Sequence, residues 1–295
     1  MYTAKVITRQ GKKFVVQDAE QNLRQCHVRS QVQDAVCGDV VICESKSQGL
    51  DIITTIEPRF NQLTRIDSFK REKTLAANID HMLIVIAAKP EFSTLLIDKY
   101  LACARLNKCR VSLVINKAEL ISQHDIDINS LANMYNALVD HFIIVSAKLG
   151  YGVATLKSVL VDETHILVGQ SGVGKSSLIN RLLDTDELRV ASLSESIEQG
   201  KHTTTSAQTY TIAQAGRIID SPGVRSFTPI FNSAEKVMSG FIEFQEFAGQ
   251  CKFANCMHIN EPECAVKNAV TQGLIFKSRY ESYKQLLSET EDLLT

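Results

Sequence analysis

The sequence predicts a multidomain α/β protein with an all-β barrel first, a parallel sheet covered by helices in the middle and a small helical domain last. Three observations carry that expectation. Five short β-rich runs separated by glycines fill the stretch up to Pro58. Near-continuous apolar runs then alternate with segments of helical spacing. A Cys/His cluster near the C-terminus precedes a long helical pattern. At 295 residues, 44% apolar and 22% charged, the chain is long for one domain and globular in composition. Boundaries are expected at 1–62, 63–230 and 231–295.

In the first part, the runs Ala4 to Ile7, Lys13 to Val16, Arg24 to Val28, Asp39 to Ile42 and Asp51 to Ile56 have strand composition. With Gly11, Gly38 and Gly49 between them, they suggest a barrel of the OB type. Such barrels often bind RNA, and Lys12, Lys13, Arg24, Arg29, Lys46 and Arg59 supply positive charge. A generic β-domain with solvated charges is the alternative, because aromatic residues are few. Pro58-Arg59-Phe60-Asn61 reads as the exit to the next domain.

The rhythm then changes. His81 to Ile86, Arg110 to Ile115, His141 to Val145 and His165 to Val168 alternate with the helical segments Leu95 to Leu106 and Ile128 to Leu138. Strands that are apolar throughout indicate a parallel sheet covered on both faces, whose ligands sit at the strands' carboxyl ends. Gly169-Gln170-Ser171-Gly172-Val173-Gly174-Lys175-Ser176-Ser177 follows the last of these runs and opens into a helical pattern. That is the strand, glycine loop and helix of a P-loop. Its backbone N–H groups can turn around a phosphate, Lys175 adds a cation at the outer phosphates, and the Ser176 hydroxyl can sit on Mg2+.

Asn116-Lys117-Ala118-Glu119 follows another strand. A carboxylate that accepts from the ring N–H and exocyclic amine of guanine rejects adenine; Asn116 reads the other side and the Lys117 stem covers the ring. Glu119 stands where Asp is usual in this motif, with one more methylene. Ser146-Ala147-Lys148 matches the element that receives the guanine oxygen. Strand Gly216 to Ile219 delivers Asp220-Ser221-Pro222-Gly223 to the same edge, where Asp220 suits a carboxylate behind magnesium and the Gly223 N–H can report the γ-phosphate. A threonine of Lys201-His202-Thr203-Thr204-Thr205, Thr204 or Thr205, can complete the magnesium shell. Val224 occupies the place of a water-orienting Gln; His202 is a possible substitute, and a structural histidine is the alternative.

The order of these motifs differs from that of ordinary GTPases, in which the P-loop comes first. Here Asn116 to Glu119 and Ser146 to Lys148 precede it, so the domain reads as circularly permuted. The switch after Asp220 then runs straight into the C-terminal domain, which nucleotide state is expected to move. Ser233 to Phe247 and Gly273 to Leu294 are expected to be helical. Between them, Cys251, Cys256, His258 and Cys264 satisfy tetrahedral zinc with no open position, so one structural Zn2+ is expected. Cys26, Cys37, Cys43, Cys103 and Cys109 read as buried thiols.

A formal charge of −1 gives no overall attraction to nucleic acid, so such binding needs a local patch. The start lacks a signal-like apolar core, and the run Met82 to Ala88 is too short to span a bilayer, so a cytoplasmic, membrane-free protein is expected.

With these residues assembled, the chain resembles the RsgA (YjeQ) family of small-ribosomal-subunit-dependent GTPases over nearly its full length. The resemblance rests on Gly169 to Ser177, Gly200-Lys201-His202-Thr203-Thr204-Thr205, Asp220-Ser221-Pro222-Gly223-Val224-Arg225, and the segment Cys251-Lys252-Phe253 to Cys264-Ala265-Val266. It implies a late role in small-subunit maturation, rRNA contact through the barrel and zinc domain, and GTP hydrolysis that is slow alone and stimulated by the subunit; a monomer is expected. Ser226 to Phe231 lacks the histidine some relatives carry there, so water is expected to be positioned mainly by backbone and the bound subunit. An rRNA-associated scaffold that holds nucleotide with little turnover is the alternative function.

Overall fold

The computed structural model describes the chain except residues 30–31, 33, 48, 67–70, 125, 184–206, 213–214, 226 and 295. Strands β1 (Tyr2–Gln10), β2 (Lys13–Asp18), β3 (Leu23–Val28), β4 (Val40–Glu44) and β5 (Asp51–Ile56) form the N-terminal barrel. It runs β1-β2-β3-β5-β4 and closes by antiparallel pairing of β4 with β1. Alternation along the strands puts Ala4, Val6, Phe14, Val16, Cys26, Val41, Cys43 and Ile53 in one small core. An irregularity between Val6 and Thr8 re-aims β1: residues 2–5 pair with β4, whereas Thr8 and Arg9 pair with β12 (Ala207–Ile212). The barrel is thereby hydrogen-bonded into the central sheet rather than tethered by a linker.

The central sheet has the order β10 (His141–Ile144), β9 (Arg110–Asn116), β8 (His81–Ala87), β11 (Glu163–Val168), β13 (Gly216–Asp220), all parallel, followed by antiparallel β12. Every residue of β8 is buried, because helices cover both faces. One face packs on α1 (Thr94–Leu106) and α2 (Ile128–Tyr135), the other on α3 (Val153–Val159) and α4 (Lys175–Leu183). Ser93 caps α1 by accepting from the Leu96 N–H. A hairpin of β6 (Gln62–Ile66) and β7 (Glu72–Ala77), which the apolar pattern does not announce, packs on the α1 side.

The C-terminal region contains α5 (Pro222–Arg225), α6 (Ala234–Ser239), α7 (Gln245–Ala248), α8 (Ala265–Thr271) and α9 (Lys277–Leu294). The single helix expected over Ser233 to Phe247 is broken at Gly240, where a Cβ would lie 2.4 Å from that of Ala102 on α1. Close approach of the two helices requires the glycine. The closing helix starts at Lys277 instead of Gly273, since Gly273 adopts φ +75° just after α8. Phe241, Phe244, Tyr280 and Tyr283 form the aromatic centre of this region's core, which Ala102 also enters. Helix α1 therefore serves two cores and buries residues around most of its circumference. The five thiols outside the C-terminal cluster are all buried.

Candidate functional site

The carboxyl ends of β8, β9, β11 and β13 converge on one edge. At the end of β11 the backbone of Gly169 passes so close to β8 that a Cβ would lie 2.1 Å from the Val85 carbonyl oxygen. Gly172 and Gly174 take φ values of +83° and +95°, open to glycine at little cost. Lys175 and Ser176 begin α4, whose first intrahelical bond runs from the Leu178 N–H to the Gly174 carbonyl. The N–H groups ahead of it lack intrahelical acceptors and form an anion-favouring helix start. Lys175 is buried, and its ammonium donates to the carbonyls of Gly169 (2.6 Å) and Gln170 (2.9 Å), which keeps it inside the loop. Gln170, Ser171, Gly172, Ser176 and Ser177 are exposed, whereas Val173 is buried beneath them.

Asn116 ends β9 fully buried and joins three loops. Its amide N–H donates to the Val173 carbonyl (2.9 Å), and its Oδ1 accepts from the Ala147 N–H (3.1 Å). Lys117, at φ +59°, turns the chain and sends its ammonium to the carbonyls of Gly172 and Lys89, both at 2.7 Å. Ala118 donates to the Val145 carbonyl. Asn116 to Glu119, Ser146 to Lys148 and the glycine loop thus form one hydrogen-bonded rim. Glu119 starts the turn that follows, and the Ser146 hydroxyl, helped by Lys148 and Lys117, holds its carboxyl below the usual glutamate range. Glu119 Oε2 is buried with no hydrogen-bond partner among the described residues, so the rim presents an unfilled acceptor beside the P-loop.

Asp220 ends β13 at the same edge and is buried. Ser221 Oγ accepts from the Val224 N–H at 3.1 Å, which fixes the turn into α5. Val224 is 1% exposed within the sheet core. Gly223 lies against Leu75 of β7. His202, Thr204 and Thr205 lie outside the described residues. Tyr100, which sequence reasoning missed, joins the two halves of this edge: its hydroxyl donates to the Phe227 carbonyl at 2.5 Å, and its ring lines a small apolar cavity with Gly169, Gln170 and Val173. The only signal in the sequence is a tyrosine on the apolar face of α1.

In the C-terminal region, Cys251, Cys256, His258 and Cys264 bring one ligand atom each within 4.8 Å of all the others. Thiolates and an imidazole around tetrahedral zinc stand about 3.5 to 3.8 Å apart. Here His258 Nδ1 lies 3.5 and 3.4 Å from the Sγ atoms of Cys251 and Cys264, which are themselves 3.9 Å apart. The donor set and spacing fit a metal ion. Cys264 also caps α8, its sulfur accepting from the Lys267 N–H. Glu261 accepts from the N–H groups of Met257 and Ile259, and the hydroxyls of Tyr280 and Tyr283 donate to the carbonyls of His258 and Met257. Helix α9 therefore buttresses the ligand loop.

Of the basic residues expected to give the barrel its positive charge, Arg59 is taken up internally. It grips buried Asp39 through Nε (2.7 Å) and Nη2 (2.8 Å) and is largely buried. Arg24 and Arg29 pair with Asp18 and Glu44.

Comparison with known proteins places these features together. Residues 56–229 match the family model described as RsgA GTPase. A Saccharophagus degradans protein named small ribosomal subunit biogenesis GTPase RsgA is 40% identical over 98% of this chain and 87% of its own length. A Haemophilus influenzae protein of the same name is 37% identical over 97% of this chain and 85% of its own. The crystal structure of YjeQ from Thermotoga maritima superposes with a TM-score of 0.80 at 31% identity, covering 98% of both chains. That of YloQ, described as a circularly permuted GTPase, gives 0.75 at 24% identity over 99% of this chain and 96% of its own, a likeness of fold.

Proposed function

The chain belongs to the RsgA GTPase family, and on that premise we propose that it hydrolyses GTP to GDP and phosphate while acting late in maturation of the small ribosomal subunit, which stimulates the reaction. The observation that carries this reading is the single rim in which Asn116 and Lys117 hydrogen-bond to the P-loop carbonyls of Val173 and Gly172. A nucleoside triphosphate is the ligand whose base and phosphates would lie along it.

In this reading the backbone of Gly169 to Ser177 holds the phosphates and Lys175 shifts from the loop carbonyls toward them. Glu119, ionised and with a partnerless oxygen, accepts from guanine; Asn116, Lys117 and Ala118 shape the base site, with Ser146, Ala147 and Lys148 beside its oxygen. Ser176, Thr204 or Thr205 and Asp220 would hold Mg2+, which when bound neutralises charge building on the phosphates. The Gly223 N–H senses the γ-phosphate. Val224 has neither a titratable group nor exposure, so water is oriented by backbone, by His202 or by the bound subunit. Cys251, Cys256, His258 and Cys264 would hold one structural Zn2+. Segments 1–62, 63–230 and 231–295 act as barrel, GTPase and metal-binding domains, the outer two touching rRNA. The protein works as a monomer in the cytoplasm; no helix among the described residues is long and apolar enough to cross a membrane.

The test is GTP turnover by the purified chain with and without small ribosomal subunits. Stimulation of tenfold or more by small but not large subunits is expected. Equal rates with and without the particle would overturn the reading and leave a nucleotide-holding scaffold.

A further inference from the structure

The end of the sheet opposite the P-loop carries chemistry that the nucleotide reading does not use. His81 of β8 and His165 of β11 face each other in register, their rings 5.3 Å apart, with Glu163 two residues before His165 on the same face. Both imidazoles are fully buried. His165 Nε2 lies 3.0 and 2.8 Å from the carbonyls of Val161 and Ala215. Carbonyls only accept, so the proton sits on Nε2 and Nδ1 is left with a lone pair. That atom is buried and has no hydrogen-bond partner among the described residues. At His81, Nδ1 faces the donor-only Nη2 of Arg110 at 3.5 Å, so Nε2 donates to Ser112 Oγ at 2.8 Å. Burial keeps both rings neutral, pushing His81 down to about 3.

Two neutral imidazoles, each with its outer N–H held by a protein oxygen and its Nδ1 presented inward, are what metal-binding histidines require. One ligand atom each from His81, Glu163 and His165 lies within 4.8 Å of the other two. We propose that His81, His165 and Glu163 form a second metal site, for Zn2+ or a similar divalent transition ion, at the amino-terminal edge of the sheet. The guanidinium of Arg110 stands in for the cation, reaching Glu163 Oε2 from Nη2 (2.7 Å) and Nε (3.2 Å). Its side chain and that of Glu163 are 34% and 28% exposed, so Arg110 can swing into solvent as a hydrated ion enters. Carboxylate and imidazole without sulfur suit zinc, nickel or cobalt, with water at the remaining position. The ion would cross-link β8 to β11, and it differs in donor set from the Cys/His cluster. The inference is independent of the nucleotide assignment.

The test strips the full-length protein with a chelator under reducing conditions and titrates it with Co2+. Two equivalents are expected: one with intense sulfur-to-cobalt charge transfer, the other with weak visible bands only. His165→Gln preserves a donor for the two carbonyls while removing Nδ1, and Glu163→Gln alters only the half-buried rim. Each should bind one equivalent with the sulfur band intact, and Arg110→Met should tighten the second equivalent at least tenfold. If His165→Gln fails to fold, Glu163→Gln and Arg110→Met decide. A wild-type protein that binds only the sulfur-ligated equivalent overturns the proposal, as does a second equivalent that Glu163→Gln leaves unchanged.

Discussion

The barrel and the C-terminal helices both attach to the central sheet, but by different chemistry. The barrel is joined chiefly by backbone: β1 pairs with β12 and the Ala77 N–H donates to the Cys37 carbonyl, with the side chains of Asn78, donating to the Gly38 carbonyl, and Arg59, locked onto Asp39, added beside the joint. The C-terminal region is joined by side chains. Arg279 of α9, 2% exposed, contacts Asp98 of α1 at 2.6 Å and Glu243 at 2.7 Å, while Tyr135 of α2 donates to the same Asp98. Strand pairing holds one geometry, whereas packed side chains allow two arrangements, which suits the second joint to a region that follows the switch. Tyr100 lies one residue after Lys99 and two after Asp98 on α1 and bonds to Phe227, so this joint and the nucleotide edge share a helix.

The difference can be broken or sharpened by experiment. Removing metal with a chelator should have the largest effect, because binding to such clusters contributes about 10–16 kcal/mol in small zinc modules. Limited proteolysis should then cut near residues 249–265 first, with the barrel intact; equal protection of both regions would erase the distinction. Next, Arg279→Ala removes the cation from fully buried Asp98, which keeps the Tyr135 hydroxyl, and from partly exposed Glu243, and should cost about 3–5 kcal/mol in denaturant unfolding. Arg59→Ala strands buried Asp39, which keeps the Val36 N–H, so a smaller loss of about 1.5–3 kcal/mol is expected. A larger cost for Arg59→Ala than for Arg279→Ala would reverse the ranking of the joints. Smallest is Lys99→Ala: its pair with Glu289 is 41% exposed on the acid side, so a change below about 1 kcal/mol, vanishing at high salt, is expected.

What the sequence made legible follows the same division. The P-loop, Asn116 to Glu119 and the Cys/His cluster are short local patterns, and the apolar runs that became β8, β9 and β11 are buried on both faces, with β10 half-buried at the edge, so local reading located these segments. The β1–β12 pairing joins residues about 200 apart and depends on an irregularity at Ile7 that no composition signals. The Arg279–Asp98 contact likewise spans the chain, and a charge inside a helix ordinarily reads as solvated surface. Gly240 lies inside a segment of helical pattern, and the neighbour that requires a glycine there, Ala102 of α1, is remote in sequence. His81 and His165 were legible only as members of apolar strands; their shared register needs the sheet.

The most direct check on the nucleotide rim is displacement of a labelled GTP analogue from the purified chain by unlabelled GDP and by ATP. GDP should displace it at near-stoichiometric concentrations and ATP should fail at hundredfold excess, since guanine pairs a ring N–H with an exocyclic amine for the proposed acceptor Glu119, whereas adenine's N1 is itself an acceptor. Comparable displacement by the two would contradict the base assignment drawn from Asn116 to Glu119.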